Sequence, residues 1–203
     1  MKNTIVALAT LAVALPLAAS SAFAHATFEQ TEVTQNATAR MVVRVPHGCG
    51  DLPTLRVRVA IPDGIHSVQP MPKAGWETET ERGPLSATYE RYGRQITEGV
   101  REIVWTGELR SDFYDEFVFR AYITDDVPAG EMLYIPVVQE CPEGEAERWI
   151  EIPAEGQSAG DLRYPAPGVM VLPAANHGHS HGHSHGHSHD EGEDDDHGHS
   201  HAN

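Results

Sequence analysis

Short runs of alternating apolar and polar residues fill the middle of this chain. In "LRVRVAI" (55–61), Leu55, Val57, Val59 and Ile61 fall on one face, with Arg56 and Arg58 on the other. That two-residue period is the mark of a half-buried strand. "ARMVVRV" (39–45), "GWETETE" (75–81), "ATYERY" (87–92), "VREIVWTGEL" (100–109), "DEFVFRAYI" (115–123), "EMLYIPVVQ" (131–139) and "RWIEIP" (148–153) read as further strands. "PDG", "RGP", "YGR" and "PAG" separate them with turn chemistry. No stretch between them holds a 3.6-residue period. Eight or nine short strands with such punctuation predict an all-β fold: a Greek-key β-sandwich of immunoglobulin or cupredoxin type, with a barrel as the alternative.

The two ends depart from this pattern. Residues 1–24 combine Lys2, the apolar run "IVALATLAVALPLAA" and the small-x-small triplet Ala22-Phe23-Ala24, which is the layout of a secretory signal cleaved after Ala24. A membrane anchor is the competing reading, but the run is short of the roughly 20 apolar residues that span a bilayer, and Pro16 interrupts it. The expected mature chain carries no membrane anchor and is periplasmic or secreted. The core domain runs from residue 25 to 172, a length that buries one core well. "PAPGVMVLPAAN" (165–176) reads as a closing edge segment and a linker. Residues 173–203 form the linker and a His/Asp-rich metal-binding tail, which is expected to be disordered when metal-free because it has no large apolar side chain to order it.

Charge and cysteine count narrow the function classes. The chain carries a net charge of -16, and loss of Lys2 with the signal makes it -17. So acidic a chain offers no basic stripe to a phosphate backbone, which disfavours nucleic acid, and favours cations as partners. The only two cysteines are Cys49 and Cys141. An isolated pair in an exported protein predicts a disulfide, the alternative being a thiolate copper site. Closing so long a loop would contribute about 4–5 kcal/mol in the chain-entropy model.

The tail holds His177, His179, His181, His183, His185, His187, His189, His197, His199 and His201, interleaved with Gly and Ser and joined to an acidic block from Asp190 to Asp196. Imidazoles two residues apart on a yielding backbone can wrap copper, zinc (Zn) or nickel (Ni) ions, with little selectivity among them. An engineered tag is usually an uninterrupted His run, and this interleaved pattern reads as native.

His25 follows the cleavage triplet directly. Cut after Ala24, the chain begins with an α-amine and an imidazole on one residue. The amine has an ordinary pKa near 8 and yields its proton readily to a divalent ion. Amine nitrogen and Nδ1 together form a six-membered chelate, and nitrogen-rich donors favour copper(II). A loose terminus alone would bind poorly, so the body must supply a third donor.

"VPHGCGDLPTLRVRVAIPDG", "PKAGWE", "IVWTGEL", "YDEFVFRA", "LYIPVVQEC" and "RWIEIPA" occur in that order across nearly the whole core. Together they resemble the YcnI-like copper-binding domain, a family of secreted bacterial β-sandwich proteins. The resemblance implies a Cu(II) ion held by a single-histidine brace at the mature N-terminus, with a glutamate completing the grip and a tryptophan close by. Carried over motif by motif, these are His25, Glu116 and Trp149. Members with a C-terminal membrane anchor carry it after the linker, where this chain has its histidines instead. The cysteine pair is not general to the resemblance.

The residues themselves accommodate these roles. In "YDEFVFRAYI", Phe117, Phe119, Ala121 and Ile123 form a core face and leave Glu116, Val118 and Arg120 on the other. A salt-bridged Glu116 is the plainer alternative. Trp149 and Ile150 must take opposite faces, and Trp76 and Trp105 read as structural. His47 and His66 read as turn or packing residues. The expected function is a non-enzymatic copper(II) carrier or buffer for copper handling, exchanging the ion with another periplasmic copper chaperone or a membrane copper transporter. A zinc- or nickel-scavenging protein working through the tail is the alternative. An oxidative copper enzyme needs a second histidine on the metal and an aromatic platform, for which the core offers only His47 and His66. Neither G-x-S-x-G nor HExxH is present.

Overall fold

The computed structural model describes residues 25–175. The signal segment, its cleavage point and the ten tail histidines, His177 to His201, therefore lie outside the described residues. Among those described, twelve strands follow one another: β1 (Thr27–Phe28), β2 (Glu32–Thr34), β3 (Ala37–Val45), β4 (Thr54–Ala60), β5 (Ile65–Pro70), β6 (Glu77–Arg91), β7 (Arg94–Leu109), β8 (Asp115–Ile123), β9 (Met132–Tyr134), β10 (Val137–Glu140), β11 (Ala146–Trp149) and β12 (Gly168–Leu172). Short 3-10 turns occupy Pro142–Gly144 and Ala159–Asp161. No described helix is long and apolar enough to cross a membrane.

The strands assemble as β1-β3-β8-β5, β11-β10-β4-β7-β6 and a smaller β2-β12-β9 sheet. The fold is the expected β-sandwich. Alternation decides what lies between the layers: Met41, Val43 and Val45 of β3 and Phe117, Phe119 and Ala121 of β8 share one core with Val57, Val59, Ile103 and Trp105 of the facing sheet. Each fully buried Val, Ile, Met or Phe among them contributes about 1.5–3 kcal/mol. Phe117 is the hub. Trp76 meets it edge-on at 4.8 Å and Trp105 at 5.4 Å. Gly107 makes room for Trp76, since a Cβ there would stand 2.5 Å from the indole.

Several elements differ from the periodicity reading. "RGP" is no turn: it lies inside β6, which runs unbroken through both "GWETETE" and "ATYERY" with register shifts after Glu81 and Pro84. β6 is an edge strand, where a proline costs no ladder bond. "YGR" does turn the chain, through Tyr92 and Gly93 at φ of 52° and 72°, the left-handed pair a two-residue hairpin loop requires. "EMLYIPVVQ" divides at Ile135-Pro136, so β9 and β10 join different sheets. β12 is not an edge segment but the middle of its sheet, parallel to β2 and antiparallel to β9.

Cys49 and Cys141 are bonded, with Cα atoms 6.2 Å apart. The bond ties the loop after β3 to the end of β10.

Candidate metal centre

The described chain enters the sandwich through β1, whose Thr27 and Phe28 pair with Arg44 and Val43 of β3. Ala26 and Phe28 are buried and anchor the strand, while Thr27 faces out. Continuing that register sets His25 level with Pro46, one residue before His47. His25 is half-buried at the rim of a cleft of about 480 Å³, whose walls include Met132, Tyr134, Pro165 and Pro167.

The His25 ring rests against Trp149, centroid to centroid 5.4 Å, with planes tilted by 55°. Trp149 closes β11, buried to 1% exposure, while Ile150 turns outward at 45%. Tyr164 flanks the indole at 5.5 Å. The structure thus brings two of the three core residues singled out in the sequence into ring contact.

Gln139 fixes the indole in place. This glutamine is fully buried on β10. Its Oε1 accepts the Trp149 Nε1 proton at 3.3 Å, and its Nε2 donates to Thr54 Oγ1 at 2.7 Å and to the His47 carbonyl. A buried amide with every group satisfied holds its neighbours in one arrangement. Sequence reasoning passed over Gln139. The signal was there in "VVQEC", where alternation puts Val137, Gln139 and Cys141 on one face and so places a polar side chain at a core position. Nothing comparable pointed to Tyr164.

Glu116 stands elsewhere on the same sheet. It lies opposite Arg44, on the side of β3 away from β1. Its Oε1 takes a hydrogen bond from Arg44 Nε at 3.3 Å, and Arg44 also approaches Glu29 at 3.7 Å. Strands sit about 4.8 Å apart, so reaching an ion at His25 requires this carboxylate to release Arg44 and cross the width of β3. His47 sits in the bend after β3, its Nδ1 2.5 Å from the Gly48 carbonyl oxygen.

Among the described residues, no three His, Cys, Asp or Glu side chains converge on a point that could hold a metal. His25 is thus without two further side-chain donors of these types around it among the described residues, and an α-amine on the same residue, present only if the chain is cut after Ala24, would add a nitrogen donor. The donor chemistry fits copper(II) on that condition.

Residues 25–171 match the family described as a domain of unknown function, DUF1775. The chain belongs to that family, also known as YcnI-like. A solved structure titled an uncharacterized protein from Nocardia farcinica with an immunoglobulin-like fold is similar over 73% of this chain and 98% of its own, at a TM-score of 0.53 and 19% identity. At that identity the likeness speaks for the fold alone. A comparison with curated proteins finds no match.

Proposed function

We propose that this DUF1775 member is exported, begins at His25 once its signal is removed, and carries one copper(II) ion without catalysing a reaction. The observation that supports the reading is the His25–Trp149 ring contact at the point where the chain enters the sandwich. An imidazole already packed against a buried, hydrogen-bonded indole loses little further freedom on binding. The amine and Nδ1 of His25 would chelate the ion, and the indole would limit the approach of water and of further ligands from its side.

Glu116 is the proposed third donor, exchanging Arg44 for the ion. Its negative charge offsets part of the copper charge. The tail histidines would collect copper, zinc or nickel at lower affinity. Copper would then pass between this protein and a periplasmic copper chaperone or a membrane copper transporter.

Copper(II) EPR on a chain ended at Ala175 tests the centre apart from the tail. A chain starting at His25 should give one tight nitrogen-rich signal, and a chain with one extra residue before His25 should lose it while keeping its fold. Equal binding by both would overturn the brace. Glu116→Gln should weaken binding by about 10- to 100-fold and His47→Ala should leave it unchanged. The reverse result would move the third donor to His47. Survival of tight binding only when residues 177–203 are present would favour the zinc- or nickel-scavenging alternative.

A further inference from the structure

Far from His25, the turn between β6 and β7 folds over the outer face of the β1-β3-β8-β5 sheet and encloses an open cleft of about 840 Å³. Arg91, Arg94 and Arg120 line it, together with Thr38, Ser67 and Gln69. In a chain with 14 basic and 30 acidic side chains, this grouping is conspicuous. None of the three guanidiniums forms an ion pair with a described carboxylate. Arg91 instead donates to Thr38 Oγ1 at 3.3 Å and lies 4.1 Å from the Tyr122 ring, and Arg120 donates to Gln69 Oε1 at 2.6 Å. Elsewhere Arg40, Arg44, Arg56, Arg58, Arg101 and Arg110 all engage acids. Arg120 also stands directly opposite Arg40 across the β3–β8 ladder. Like charges in that position destabilise a sheet. An anion in the cleft would relieve both features.

We infer that the cleft is the docking site for the chain's own acidic block, Asp190 to Asp196. The place where the described chain ends supports this occupant. The carbonyl of Leu172 accepts from Gln35 N, and Asn36 N donates to the Ile123 carbonyl. The described chain therefore leaves the sandwich beside Gln35, three residues before Thr38 of the cleft. The block starts 15 residues past Ala175, a contour of up to about 50 Å. It carries six carboxylates and no bulky side chain, which suits an open cationic cleft. A separate acidic partner would be repelled by a net charge of -16, whereas a tethered segment meets the cleft at an effective concentration in the millimolar range.

Docking would fasten the tail at both ends of its first histidine run, His177 to His189, and hold those imidazoles together as a loop. It would do so at the end of β3 remote from His25, about 26 Å away at 3.3 Å per residue. The proposal does not depend on copper at His25.

Amide NMR of the metal-free full chain tests it. Replacing the six acids (Asp190→Asn, Glu191→Gln, Glu193→Gln, Asp194→Asn, Asp195→Asn and Asp196→Asn) should shift the signals of Thr38, Arg91 to Arg94 and Arg120 and leave the rest of the domain in place. Raising salt from about 0.01 M to about 1 M, which contracts the screening length from about 30 Å to about 3 Å, should move the same signals the same way. In the neutralised variant that response should vanish. Unmoved cleft signals would overturn the proposal, and shifts that scale with protein concentration would put a second copy's segment there and overturn it equally. Substituting Arg91, Arg94 and Arg120 with Gln should move the signals of residues 190–196 in turn. The tail variant lies outside the described fold, so it keeps the test independent of how that triple change folds.

Discussion

The imidazole of His25 lies 5.4 Å from the indole of Trp149, on the residue that opens the described domain and the residue that ends β11. A paramagnetic ion chelated at His25 would sit close enough to quench that indole. Copper(II) added to the chain starting at His25 should reduce tryptophan emission at one equivalent. In Trp149→Phe the fluorescence of Trp76 and Trp105 should remain and most of the quenching should go. Equal fractional quenching in both proteins would place the ion away from Trp149.

Gln139 joins Trp149, Thr54 and the His47 carbonyl through one amide. Gln139→Leu keeps roughly the volume and strands two buried polar groups, Thr54 Oγ1 and Trp149 Nε1, each worth about 1–3 kcal/mol when unsatisfied, together with the carbonyl of the half-buried His47. Partial relaxation should leave a loss of about 2–4 kcal/mol in denaturant unfolding. It should also weaken copper binding, because the indole Nε1 loses the amide oxygen that holds it in place. Unchanged stability would mean that the amide is not holding the site.

The Cys49–Cys141 bond closes a loop with a sequence separation of 92. In the loop-entropy treatment its removal costs about 4–5 kcal/mol, less whatever structure the unfolded chain retains. The Cys49→Ser/Cys141→Ser protein should unfold at correspondingly lower denaturant. A midpoint equal to that of the native chain would contradict this.

His66 packs between Tyr122 at 4.8 Å and Tyr89 at 5.0 Å, and its Nδ1 meets Ser67 Oγ at 2.8 Å. Burial lowers its pKa below the ordinary value, and the nearby positive charge of Arg91 lowers it further. The unfolded chain therefore takes up the proton first, near pH 6.5. The stability that His66 contributes is intact above about pH 6.5 and is lost as pH falls toward the lowered folded value. Denaturant midpoints measured across that range should decline for the native chain and decline less for His66→Phe. Parallel curves would assign the decline to other groups.

Most of the strands were legible because they bury one face. "LRVRVAI" and "DEFVFRAYI" announce their inward sets, and Val57, Val59, Phe117 and Phe119 are all buried as the two-residue period requires. "RGP" misled because Gly and Pro are turn residues by local chemistry, and only the edge position of β6 lets them stay in a strand. The closing segment misled for a related reason: alternation tells which face is buried but not how many neighbours a strand has. The parallel pairing of β12 with β2 joins segments far apart in the chain.

The sequence by itself determined a β-sandwich, the cysteine pair, and the family to which the chain belongs, since all three follow from residue type and order. The tertiary structure decided the rest. It set Trp149 against His25, threaded a buried Gln139 between Trp149 and His47, put Arg44 beside Glu116, and gathered Arg91, Arg94 and Arg120 around one cleft. Those neighbours come from strands distant in sequence, and strand register, which no local pattern encodes, is what sets them side by side.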